Sequence, residues 1–219
     1  VGGSLDAEGL AAHGELALSN ARIGGDVDLS GAWVARPYGV AAKSLSTGGD
    51  LHLNRYRSLA GEAPHVSDLS PTLIGGSFDA ENATVEGSVY ACHCHVLGNL
   101  DFRGADIGHN LTLYGAHGAG GLPPWARATI VLGEISAYGA RVGGCVNIDG
   151  TICSQIEFNF LRAEALFVYP GAGSGLPLAV VPPAQSESSE PAEPPVCMHM
   201  SHARIGGVFA EGVQLGGAV

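Results

Sequence analysis

Ala21-Arg22-Ile23-Gly24-Gly25-Asp26-Val27-Asp28-Leu29-Ser30-Gly31-Ala32 is the stretch whose reading decides the fold. It holds a glycine step, two apolar residues two apart (Val27 and Leu29) and a small residue (Ala32). An aliphatic residue, Val34, follows two further on. The phrase returns about every eleven residues, and Phe78, Val89, Leu100 and Leu111 repeat it at an unbroken spacing of eleven. A fixed period of this kind is the strongest whole-fold signal in a sequence.

Let the first apolar residue of each unit be position zero. Position +2 is usually apolar (Leu18, Leu29, Leu53, Phe102, Leu113) and position +5 usually small (Ala21, Ala32, Ala83, Cys94, Ala105). Position +7 is aliphatic (Ile23, Val34, Val85, Val96, Ile107). Each unit is thus two short pieces of alternating polarity joined by turn residues, with one side of each piece facing a core. Helical periodicity is sustained nowhere. A unit of eleven residues reaches at most roughly 36 Å when extended, too little to close around side chains. Two units close a coil with four short faces. The expected fold is an all-β, quadrilateral β-solenoid of about 22 residues per coil, built from 11-residue half-coils. Weaker copies of the unit start near Ser67 and Pro124.

Counting units from Leu5, the larger insertions follow those at Val27, Leu51 and Leu166. All three units are odd-numbered, which predicts one common corner. A smaller insertion follows Leu111 and is expected on the other side. The Pro-, Ser- and Glu-rich stretch 172–196 reads as a long disordered loop insertion, because the repeat resumes at Met198. The whole of 1–219 reads as one solenoid domain of roughly eight coils, stacked about 4.8 Å apart. Both ends fall mid-repeat without a polar cap. This predicts a piece of a longer chain, or self-association through the uncapped ends.

These residues carry a resemblance. Steps with an inward small residue and an inward aliphatic two later resemble the pentapeptide-repeat proteins, which are right-handed quadrilateral β-helices. The wording Ala21 to Ala32 is also similar to actinobacterial repeat proteins often labelled membrane-associated oxidoreductases. The resemblance spans nearly the whole chain outside 172–196. It implies a right-handed coil. Some pentapeptide-repeat proteins are understood as DNA mimics that engage type II topoisomerases, which implies an acidic docking face as one possible use.

The net charge of −11 argues against direct nucleic-acid binding through a basic surface. Position +1 points outward. On the odd units it reads Asp6, Asp28, His52, Asp79, Asp101 and Asn147, an expected acidic column on one face. Position +6 on the even units reads Arg22, Ser46, Leu73, His95, His117, Arg141, Arg162 and Arg204, an expected partly basic column on another. Trp33 and Tyr38 sit at the insertion-bearing corner with Tyr56. The candidate interaction surface is therefore Asp28, His52, Asp79, Asp101, Trp33 and Tyr38.

Cys92-His93-Cys94-His95 and Cys197-Met198-His199 have soft-ligand composition. The phase places Cys94 inward and predicts Cys92, His93, His95, Cys197 and His199 exposed. Neither cluster has paired zinc-ligand spacing, so no metal and no cofactor are expected. No nucleophile elbow, dinucleotide fingerprint or phosphate loop is present. Five cysteines without framework spacing suit a reducing cytoplasm. No run of eighteen apolar residues exists to span a membrane as a helix. The expected role is a non-catalytic scaffold or protein-interaction module. An acidic DNA mimic is one alternative, and a metal-binding or carbohydrate-active β-helix is another.

Overall fold

The computed structural model describes residues 2–54, 71–114, 128–168, 179–180, 198–210 and 214–215. Every strand pairing among them is parallel, and the described residues contain no helix. Leu5 pairs with Val27 and Val89 with Leu111, each partner one coil of 22 residues further on. The chain is a four-faced β-solenoid. Face one starts with Leu5–Asp6, face two with Ala11–Ala12, face three with Leu16–Ala17 and face four with Arg22–Ile23.

The repeat positions fall where the alternation puts them. Phe78, Val89, Leu100 and Leu111 are fully buried, as are Phe102, Leu113, Phe158 and the small residues Ala83, Cys94 and Ala105. Phe78 and Phe102 pack in adjacent coils with ring centroids 5.9 Å apart. One contiguous apolar core runs along the rod.

Two kinds of corner hold the coils square. The first is a four-residue turn between faces one and two and between faces three and four. The amide at +5 donates to the carbonyl at +2, as from Ala32 to Leu29 (3.0 Å) and from Ala105 to Phe102 (3.1 Å). The residue at +4 has a positive φ, as at Gly104 (64°) and Asn82 (57°), which is the signature of a type II turn.

The second kind joins face four to face one and face two to face three. Here a side chain of one coil caps a backbone amide of the next. Ser4 Oγ accepts from Asp26 N (3.0 Å), Asp26 Oδ1 from Asp50 N (2.8 Å) and Asp50 Oδ1 from Ser88 N (2.7 Å). Ser88 Oγ accepts from Asn110 N (3.3 Å), and Asn110 Oδ1 from Cys145 N (2.9 Å). A shorter ladder on the other corner runs from Ser77 through Asn99 to Glu134 N. The glycine step is a steric consequence: a Cβ on Gly49 would collide with Asp26 Oδ1.

In the later coils the strands lengthen and cross these corners. Thr129–Ser136 and Thr151–Glu157 span faces two and three, while Arg162–Val168 and Arg204–Ala210 span faces four and one. Val146 pairs with Leu166, only 166 − 146 = 20 residues on.

The cross-coil register corrects the unit count. Phe78 pairs with Val40 and Leu100 with Ile135, so one half-coil separates Leu51 from Phe78 and one separates Leu111 from Ile135. The copies expected near Ser67 and Pro124 lie outside the described residues, and the register leaves no half-coil for them. As a result the segments after Leu51, Leu111 and Leu166 all connect face one to face two, Leu111 included. The Val27 unit instead widens the next corner, at Ala35–Gly39. The stretch 172–196 is not one uninterrupted insertion either. Ala179–Val180 pairs with Ile152–Cys153 and continues face two, and the remainder lies outside the described residues.

Candidate functional site

The candidate residues divide among three faces. Asp28 and His52 are register partners on face one, and Asp79 and Asp101 are register partners on face three. Trp33 lies on face two and Tyr38 at its edge toward face three. The expected single acidic column is therefore split in two. It runs Asp6, Asp28, His52, Tyr90, Thr112 and Asn147 on face one, and Ala17, Ala41, Asp79, Asp101, Ser136 and Glu157 on face three.

Most of these carboxylates have local work. Asp28 Oδ1 accepts from Ser30 N (2.8 Å) and Asp101 Oδ1 from Arg103 N (2.9 Å), each closing its own turn. On face three Lys43 Nζ lies 2.7 Å from Glu81 and 3.3 Å from Asp79, and Arg103 binds Asp101 at 2.6 Å. The Lys43 ammonium holds the Glu81 carboxyl below its ordinary range, mainly through that hydrogen bond. Lys43 itself is held above its ordinary value by Glu81 and Asp79. On face one His52 stacks flat on Tyr90 at 5.2 Å.

Asn99, Asp101, Arg103, Glu134, Ser136 and Glu157 line a dent of about 150 Å³ on face three. Desolvation, then the neighbouring Glu157 carboxyl, pushes the Glu134 carboxyl above its ordinary range. Ser136 Oγ and Asn159 Nδ2 each donate to Glu157 at 3.3 Å. The dent is smaller than the ~300 Å³ at which small-molecule sites begin.

The Cys/His cluster does not converge. Cys94 is buried in the core, as the phase predicts. Cys92, expected exposed, is also buried: its amide donates to Asn54 Oδ1 (3.2 Å) and its sulfur faces the Thr112 carbonyl. Cross-coil contacts of this kind leave no trace in the local alternation. Burial raises the Cys92 thiol to about 12. His93 occupies a turn against Tyr114, His95 points out from face two and His199 lies on face three. Cys197 lies outside the described residues. Among the described residues no three His, Cys, Asp or Glu side chains are placed to hold a metal.

The surface that sequence reasoning missed is face two. Its outward column reads Ala11, Trp33, Leu73, His95, Ile130 and Ile152 across six coils, with no Asp, Glu, Lys or Arg. Leu73 and His95, expected in the partly basic column, belong here. Face four reads Arg22, Ser46, Thr84, Asp106, Arg141, Arg162 and Arg204. His117 lies outside the described residues. Trp33 is 39% exposed and packs edge-on against His13, while Tyr38 and Leu132 stand exposed on the rim toward face three. The signal was available in position +6 of the odd units, once the coil parity is right.

Face two is also where the repeat is interrupted. The chain leaves face one at Asn54 and at Tyr114, and returns beside Thr72 and Thr129. Both threonines are fully buried at the +5 position, where alanine is usual. Thr72 Oγ1 donates to the Asn54 carbonyl and accepts from Gly31 N (2.8 Å). Thr129 Oγ1 lies 3.1 Å from the carbonyls of Tyr114 and Ala91 and accepts from His93 N (3.0 Å). A hydroxyl thus replaces the turn bond that the inserted chain removes.

No family model, curated protein or solved structure matches this chain.

Proposed function

We propose that the chain is a non-catalytic repeat scaffold that binds a protein partner through face two. One observation carries this reading: the outward column of face two is uncharged over six coils, whereas the other three faces carry charged residues. Every interruption of the repeat borders that face, and irregularities on a regular rod are where specific binding concentrates. A strip without Asp, Glu, Lys or Arg, apolar except at His95, on a chain of net charge −11 fits a partner that brings its own apolar surface. A cytoplasmic location belongs to the same proposal and rests on five cysteines without framework spacing.

The acidic DNA-mimic reading has lost its main support, because the column it needs is divided between two faces and Asp79 and Asp101 are already ion-paired. Site-specific photo-crosslinking in the native host tests the proposal. A crosslinker at Leu73 on face two is expected to give a discrete protein adduct, and one at Tyr90 on face one is not. No adduct from Leu73, or equal adducts from both, sinks it.

A further inference from the structure

A second surface lies on the opposite side of the coil. Arg141 pairs in register with Arg162 and Arg162 with Arg204, which stacks three guanidinium groups on consecutive coils of face four. They are three of only ten cationic side chains in a chain with 21 acidic ones. All three are exposed. Among the described residues none forms an ion pair, although Asp106 is the register neighbour of Arg141 and Glu164 follows Arg162 by two residues. Lys43 and Arg103, by contrast, are both paired on face three. Stacked like charges repel, so nothing in the fold itself favours this arrangement.

Beside this column, at the corner between faces three and four, runs a row of rings. Tyr138 meets Phe160 edge-on at 5.4 Å, and Phe160 stacks on His202 at 5.1 Å. Tyr138 is 43% exposed and Phe160 47%. Phe160 also occupies the left-handed turn position, with φ of 59°, where equivalent turns carry Gly104, Gly150 or Asn82. A bulky side chain is a genuine outlier in that region. Here it holds a half-exposed ring in place beside an unpaired arginine.

The geometry points to a docking strip, formed by Tyr138, Phe160 and His202 with Arg141, Arg162 and Arg204, that takes an acidic segment of a partner protein. Arginine and aromatic rings are the residues enriched where binding energy concentrates at protein interfaces. The guanidinium fork matches a carboxylate through two parallel hydrogen bonds. Single-stranded nucleic acid, which also uses rings and cations, fits less well. Three cations without a lysine, on a rod of net charge −11, make a poor electrostatic track for a phosphate backbone. This strip is independent of face two, so both surfaces can be occupied at once.

The test uses fluorescence anisotropy with two labelled probes of equal charge, a glutamate-rich peptide containing phenylalanine and a poly-thymidine oligonucleotide. Saturable peptide binding is expected, weakening about tenfold or more in Arg162→Glu and at high salt. Absence of saturable peptide binding, tighter binding of the oligonucleotide, or an unchanged affinity in Arg162→Glu overturns the proposal. Phe160→Gly separates binding from folding. It releases the left-handed strain, so the thermal midpoint is expected to hold or rise while peptide affinity falls. A lowered midpoint with unchanged affinity makes the ring structural and rejects its role.

Discussion

The coils up to Leu113 and those after Thr129 solve the same problem differently. In both, the chain turns from face four to face one and from face two to face three, and the amides at the bend need acceptors. The early coils use side chains: Ser4, Asp26, Asp50, Ser88 and Asn110 each cap the coil that follows. The ladder stops at Cys145, which has no oxygen to offer. There the next coil is two residues shorter, and Arg162–Val168 carries backbone pairing through the bend. On the other corner the ladder stops at Glu134, and Thr129–Ser136 against Thr151–Glu157 takes over in the same way. Side-chain caps at the glycine step therefore mark where each corner interrupts the strands, and where the cap ladder ends the strands run through the bend.

That contrast can be broken from the core outward. Phe102→Ala in the early coils and Phe158→Ala in the late ones each remove a fully buried ring and are expected to destabilise by about 3–5 kcal/mol in denaturant melts. Because each coil contacts mainly its neighbours, hydrogen exchange should show the loss centred on the altered coil. Uniform loss of protection along the rod would show that the two regions are one cooperative block. Asn110→Ala removes the acceptor for Cys145 N at the junction, with an expected loss of about 1–2 kcal/mol. A cost below the error of the melt would mean that the ladder orders the corner without stabilising it.

Glu134 offers a test by pH. Its carboxyl is raised by desolvation and by Glu157, so the folded state favours the protonated form. Stability from this group is present below its unfolded value and lost as pH rises through the raised one. Glu134→Gln should therefore raise the thermal midpoint slightly at neutral pH and match the parent in acid. A variant that is less stable at neutral pH would reverse the sign. The smallest effect is expected from Cys145→Asn, within about 0.5 kcal/mol, because the next coil already bonds its bend amide, Glu164 N, to the Gly144 carbonyl at 2.9 Å.

The alternation made the inward residues legible. Phe78, Val89, Leu100 and Leu111 at zero and Ala83 and Ala105 at +5 are all core, because burial of a short strand follows from local polarity alone. Coil parity was not legible. The 27 residues from Leu51 to Phe78 fit either two units and a remainder or one unit and an insertion, and only the pairing of Phe78 with Val40 decides. That one ambiguity scattered Asp28, His52, Asp79 and Asp101 over two faces and hid the run from Trp33 to Ile152, which is apolar except at His95. Cys92 was misplaced for a related reason, since Asn54 and Thr112 reach it from other coils.

Thr72 and Thr129 each fasten the two ends of an inserted segment to the rod with one hydroxyl, at the same position of the coil. Lengthening a closed loop adds only about 0.6 kcal/mol per doubling. The segments joined at Thr72 and Thr129 differ in length, yet both attach at the same socket of the coil.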